Sequence, residues 1–200
     1  MSFKKIDTLL FLCLIVYGCS LESESELCFI GDSITHQWDL DSYFPGYVTI
    51  KHAVDGAKLH DINTWDVSDC SGKPTFLLIG TNDIGFLPPN YNKINDTINS
   101  FSLEYAKIAN SIGASPLYVI SILPRNYLGE QDTAINQIIE KQNKSITTAL
   151  DSLLGDYKYI NLFYNFFKKG YRIKETLFRD GLHPSTEGYE IMTKKIQEHL

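Results

Sequence analysis

Ser33 stands directly behind the apolar run Leu27 to Gly31 (LCFIG) and Asp32. On a sharp turn between a buried strand and a following helix, its hydroxyl would be lifted to the sheet edge, where the helix N-terminus offers backbone N–H groups to a developing oxyanion. Taken alone, GDS also reads as a strand end with a serine N-cap. A serine nucleophile needs a base to take its proton and a group to hold that base in the right tautomer. Near the other end of the chain, Asp180 lies three residues before His183 in DGLHPS, ahead of the last helix. That spacing lets the carboxylate reach back to the imidazole Nδ1 while Nε2 faces Ser33. Among the five histidines only His183 has this arrangement; His36, His52, His60 and His199 read as structural or solvated. Two further residues could serve the tetrahedral intermediate of acyl transfer. Gly56 can bring an unobstructed backbone N–H, and Asn82 in GTND a side-chain amide. Each is an ordinary turn residue by itself; together with Ser33 and His183 they fill every role that acyl transfer requires.

The elements that must carry these residues can be read from periodicity. Leu27 to Gly31, Val48 to His52, Thr75 to Gly80, Leu117 to Ile122 and Tyr157 to Leu162 are short apolar or β-branched runs, as expected for strands buried on both faces. Helix-length segments alternate with the later ones. Asp132 to Leu154 places Ile135, Ile138, Ile139, Ile146, Leu150 and Leu153 along one face, and Tyr91 to Ile112 and Thr186 to Leu200 behave similarly. The last of these opens with Ser185 or Thr186 as N-cap. Alternating strands and helices predict an α/β fold with a doubly wound parallel sheet of five strands. In such sheets the ligand crevice lies outside the carboxyl ends of the strands. GDS, VDGA, GTND and LPRN each come directly after a strand, and DGLHPS precedes the final helix, so the polar motifs are expected on one rim.

With these residues in view, the chain resembles the GDSL, or SGNH, hydrolases over about residues 27 to 195. GDSIT (Gly31 to Thr35), Gly56, GTND (Gly80 to Asp83) and DGLH (Asp180 to His183) match the four family blocks in order. SILPRN (Ser121 to Asn126), Asn136, Asn143, YINLF and GYE (Gly188 to Glu190) agree as well. The resemblance implies a flavodoxin-like three-layer α/β/α sandwich and cofactor-free ester hydrolysis. Ser33, Asp180 and His183 would be catalytic, with Ser33, Gly56 and Asn82 as the oxyanion hole. One departure stands out. The family commonly reads Asn-x-Gly-x-x-Gly in its second block, whereas this chain has KHAVDG, with Lys51 and Ala53 in the first two places and Asp55 adding a negative charge beside Gly56.

The expected activity is serine-dependent hydrolysis of short-chain acyl or acetyl esters, on glycans or lipids, through an acyl-enzyme. An acyltransferase on envelope glycans, and a non-catalytic surface lipoprotein that binds glycan or a partner, are the alternatives. Trp38, Phe86, Leu87, Tyr127, Phe178 and Leu182 fall in the rim loops and either line an acyl or sugar subsite or pack the loops themselves. No long apolar lid insertion of the kind a long-chain lipase would use is seen, which favours small acyl groups.

Composition narrows partners and location. The 200 residues carry a net charge of -6, with 44% hydrophobic and 12% aromatic residues, which fits one globular domain and argues against a nucleic-acid binder. Lys4 and Lys5 precede a short apolar run, Leu9 to Val16, and then Tyr17, Gly18 and Cys19. This resembles a bacterial lipoprotein signal, although Tyr17 departs from the small residue usual two before the cysteine; ordinary secretory cleavage is the alternative. Eight apolar residues are too few to span a bilayer, for which about 20 are needed. The expected divisions are therefore a signal at 1–18, a lipidated acidic tether at 19–26 and the hydrolase domain at 27–200, exported and attached to a membrane only through lipid on Cys19. Removing Lys4, Lys5 and Asp7 takes the charge from -6 to -7. Cys28 and Cys70 then remain as either a disulfide or two buried thiols. No paired His/Cys ligand spacing or GxxxxGK loop points to a metal or nucleotide.

Overall fold

The computed structural model describes residues 25–84, 91–127, 131–168 and 172–200. Five strands, β1 (Ser25–Gly31), β2 (Tyr47–Ala53), β3 (Thr75–Leu78), β4 (Leu117–Ile120) and β5 (Lys158–Ile160), form one sheet in the order β2-β1-β3-β4-β5. Every pairing is parallel. Between β1 and β2 lie the short helices α1 (Ser33–His36) and α2 (Leu40–Tyr43), and α3 (Thr81–Ile84) comes after β3. The long helices are α4 (Tyr91–Ser111), α5 (Gln131–Leu153) and α6 (Thr186–Gln197).

Residue alternation along the strands sorts the core into two layers. Cys28, Ile30, Leu77 and Val119 face the side covered by α4 and α5, where they meet Tyr105, Ala106, Ile139 and Ile146. Leu27, Phe29, Phe76, Leu78, Tyr118 and Ile120 face the other side, beneath α1, α2 and α6. There Phe29, Phe76 and Tyr118 stack across three neighbouring strands, with ring centroids 4.9 and 4.6 Å apart. This is the three-layer α/β/α sandwich that the sequence pattern predicts.

Three details differ from the expectations of the sequence. β2 and β5 are sheet edges, and β2 is half-exposed along its length rather than buried on both faces. β1 begins at Ser25, inside the acidic stretch expected to be a tether, and Ser25 and Glu26 pair in register with Tyr47 and Val48. A small antiparallel hairpin, β6 (Phe167–Lys168) and β7 (Arg172–Ile173), has no counterpart in the apolar periodicity, its strands being only two residues long. Cys28 and Cys70 are fully buried and joined as a disulfide, their Cα atoms 5.6 Å apart, within the usual span for such a bridge. Cys19 lies outside the described residues. Among the described residues no helix is long and apolar enough to cross a membrane.

Candidate active site

The strand order reverses between β1 and β3, which is where an open parallel sheet of this kind leaves its ligand crevice. β1 ends at Gly31, and a Cβ there would run into Thr35 Oγ1 and the Leu78 carbonyl, so only glycine lets the chain turn so tightly against β3. Asp32 then caps α1, its Oδ1 accepting the Ile34 N–H at 3.0 Å. Ser33 is thereby set at the first position of α1, nearly buried, with its backbone N–H unclaimed among the described residues.

His183 reaches Ser33 from the loop before α6. Asp180 organises that loop: its Oδ1 accepts the N–H groups of Leu182 (3.0 Å) and His183 (2.8 Å), and its Oδ2 lies 2.7 Å from His183 Nδ1. The other ring nitrogen, Nε2, is 3.0 Å from Ser33 Oγ. Gly181 sits at φ +82°, where a Cβ would strike the Asn126 carbonyl, and the Asn126 N–H donates to the Gly181 carbonyl at 2.6 Å. α5 braces the Asn126 side in turn. Asn136 bonds both the N–H and the carbonyl of Arg125 (2.9 and 2.8 Å), and Asn143 does the same for Ile122 (both 2.9 Å). On the sheet side, Tyr189 of α6 donates to the Ile34 carbonyl at 2.8 Å, which ties the histidine loop's helix to the serine's helix.

Electrostatics separates the two ends of this constellation. Burial pushes the Asp180 carboxyl up, but the hydrogen bonds from His183 and Leu182 outweigh it and hold its pKa at about 2. An ionised Asp180 fixes a proton on Nδ1 and leaves the Nε2 lone pair toward the Ser33 hydroxyl, the tautomer a general base requires. Beneath Ser33 the trend reverses. Burial raises Asp32 to about 7, against the opposing Ile34 bond and with added repulsion from Asp83, and its Oδ2 has no hydrogen-bond partner among the described residues. Burial likewise raises Asp83 to about 6, offset by its bond from the Leu59 N–H and by the charges of His60 and Lys58.

Gly56 lies on an exposed turn at φ +77°, its N–H unclaimed among the described residues. Asn82 is half-buried at the start of α3 and donates through Nδ2 to the Ala57 carbonyl at 2.9 Å, which leaves the second amide N–H for another acceptor. The departures of the KHAVDG segment acquire roles. Lys51 Nζ donates to the carbonyls of Trp38 (2.6 Å) and His36 (3.2 Å), securing the end of α1. Asp55 points to the Gln37 amide (Nε2 to Oδ1, 3.4 Å), and Gln37 Oε1 in turn accepts from Arg179 Nη2 at 2.7 Å.

The expected substrate-lining residues divide. Tyr127 is 60% exposed on the rim, and Leu182 is half-buried beside His183. Trp38 does not line a subsite: it is 1% exposed, packed against Phe29, Phe44 and Tyr189, because its ring fills the core layer under α1 and α2. Phe178 is buried against Phe166. Phe86 and Leu87 lie outside the described residues. One convergence was invisible in the sequence spacing. His52 comes together with Cys28 and Cys70, their ligand atoms within 4.8 Å of one another, but the two sulfurs are bonded to each other and His52 Nε2 is 2.7 Å from Asp69.

Comparison with known proteins agrees with this architecture. The family model for GDSL-like lipase/acylhydrolase matches residues 27–196, and the chain belongs to that family. No curated protein sequence matches it significantly. Among solved structures, it is similar to a GDSL-like lipase from Bacteroides thetaiotaomicron, with 20% identity over 88% of this chain and 87% of that one and a TM-score of 0.67. A lipase/acylhydrolase from Enterococcus faecalis matches at 17% identity, 88% and 94% coverage and a TM-score of 0.63. An acetylxylan esterase from Geobacillus stearothermophilus matches at 14% identity, 87% and 93% coverage and a TM-score of 0.63. At these identities the likeness is one of fold.

Proposed function

We propose that the protein is a serine esterase that removes short acyl groups, acetyl above all, from hydroxylated substrates such as glycans. In this reading Ser33 Oγ attacks the ester carbonyl while His183 Nε2 takes its proton and later returns it to the leaving alcohol. Asp180 stabilises the imidazolium that forms. The N–H groups of Ser33 and Gly56 and the Asn82 amide receive the oxyanion, and water then cleaves the acyl-enzyme. The observation that carries the proposal is the unbroken relay from Ser33 Oγ to His183 Nε2 (3.0 Å) and from His183 Nδ1 to Asp180 Oδ2 (2.7 Å).

Support for a glycan ester comes from the polar rim, where Arg179, Gln37 and Asp55 form a hydrogen-bonded chain and Tyr127 offers an exposed ring. One structurally similar protein is described as an acetylxylan esterase. We further propose that the protein is exported and held at the cell envelope through lipid on Cys19. The test is a fluorophosphonate probe and p-nitrophenyl acetate applied to the purified protein. Labelling at Ser33 and turnover are expected, and Ser33→Ala abolishes both. Turnover that survives Ser33→Ala would overturn the mechanism. Acetate release from acetylated xylo-oligosaccharides, with and without an added glycan acceptor, then separates hydrolysis from acyl transfer.

A further inference from the structure

Gly56 is exposed and has φ +77°, so the turn itself does little to fix where its N–H points. The next residues of the chain are anchored. Ala57 and Leu59 are buried, and each is gripped through its backbone by a neighbouring side chain of GTND. Asn82 Nδ2 donates to the Ala57 carbonyl at 2.9 Å, and Asp83 Oδ2 accepts the Leu59 N–H at 3.1 Å. Local bonds add to these: the Ala57 N–H donates to the Val54 carbonyl (3.1 Å) and the Lys58 N–H to Asp61 Oδ2 (2.8 Å). The bonds from Asn82 and Asp83 therefore tie the turn that carries Gly56 to the strand β3 side of the crevice.

We propose that Asp83 is a positioning residue for the oxyanion hole, holding Leu59 while Asn82 holds Ala57, so that the Gly56 N–H stays aimed at the crevice beside Ser33. The proposal rests on the esterase reading. The function requires an acceptor oxygen, not a charge. Asparagine keeps an acceptor oxygen for the Leu59 N–H, and it removes a negative charge from the neighbourhood of a developing oxyanion. Alanine loses the grip altogether. The two substitutions are therefore expected to part company.

The experiment measures kcat and KM for p-nitrophenyl acetate, normalised to active sites titrated with a fluorophosphonate, together with hydrogen exchange of the peptide covering residues 55–60. Asp83→Ala is expected to lower kcat per titrated site by about 10- to 100-fold with KM changed less than about threefold, the size of effect that a small misplacement produces. It also speeds exchange at Leu59. Asp83→Asn is expected to keep kcat within about threefold of wild type and to keep the protection. A purely structural role lowers the titratable fraction and leaves kcat per titrated site unchanged, which overturns the proposal. Equal impairment of the Asn and Ala variants overturns it too. If the wild-type protein neither labels nor hydrolyses esters, the esterase reading fails, and the exchange data still decide the grip: unchanged protection in Asp83→Ala refutes it.

Discussion

The loop that carries His183 reaches Ser33 from before α6, whereas Asp32 and Asp83 stand at the ends of the central strands β1 and β3, and the two regions treat negative charge in opposite ways. Asp180, beside the imidazole, is held at about 2 by the three N–H groups it accepts. Asp32 and Asp83, on the serine and oxyanion side, are pushed by burial to about 7 and about 6. In the proposed mechanism positive charge develops on the histidine during attack, and negative charge develops on the substrate oxygen. On that reading Asp180 would stay ionised where a carboxylate stabilises the transition state, while Asp32 and Asp83 are shifted toward neutrality where charge would oppose it. Local hydrogen bonding outweighs burial at Asp180, and desolvation prevails at Asp32 and Asp83.

Three substitutions test this contrast. His183→Ala removes the proposed base and should lower kcat for p-nitrophenyl acetate by about 10⁴- to 10⁶-fold. Asn82→Ala removes one proposed oxyanion donor and its grip on Ala57, and should cost about 10² to 10³ in kcat in the same assay. A loss below about tenfold would mean that the oxyanion side depends on backbone donors alone.

The smallest effect concerns stability. Because the folded-state pKa of Asp32 lies above its unfolded value of 3.8, the folded protein holds more protons between about pH 4 and 7. Stability from this group is therefore full below pH 4 and declines as pH rises through about 7. Asp32→Asn should flatten that decline and raise the melting temperature at pH 8 but not at pH 4, by about 2–4 °C for each kcal/mol recovered. Parallel melting curves of the two proteins from pH 4 to 8 would instead show that Asp32 carries no buried charge.

The histidine side was legible in the sequence because its partners are near one another in the chain. Asp180 and His183 are three residues apart, and Ser185 was readable as the cap of α6, where its Oγ accepts the Gly188 N–H at 3.2 Å. The strands were legible from apolar runs, yet those runs did not distinguish the edge strands β2 and β5 from central ones, because an edge strand still needs one apolar face. Trp38 misled for a related reason: its position near a rim motif suggests exposure, whereas the core beneath α1 needs a large ring. The braces on the site were illegible. Asn136 and Asn143 matched family positions without an evident task, and their bonds to Arg125 and Ile122 span 11 and 21 residues. Asp83 sits 24 residues from the N–H it accepts. A polar side chain on a helix announces nothing about which distant backbone group it will satisfy.

The direction of β1 bears on what the enzyme can reach. The strand enters the sheet at Ser25, runs for seven residues and about 20 Å, and delivers Ser33 just beyond its far end. In the lipid-anchored form proposed above, the chain from the anchor would enter the domain at one end of β1 while the crevice lies beyond the other. A hydrolase so oriented would turn its crevice away from the bilayer, toward polymers and oligomers arriving from outside.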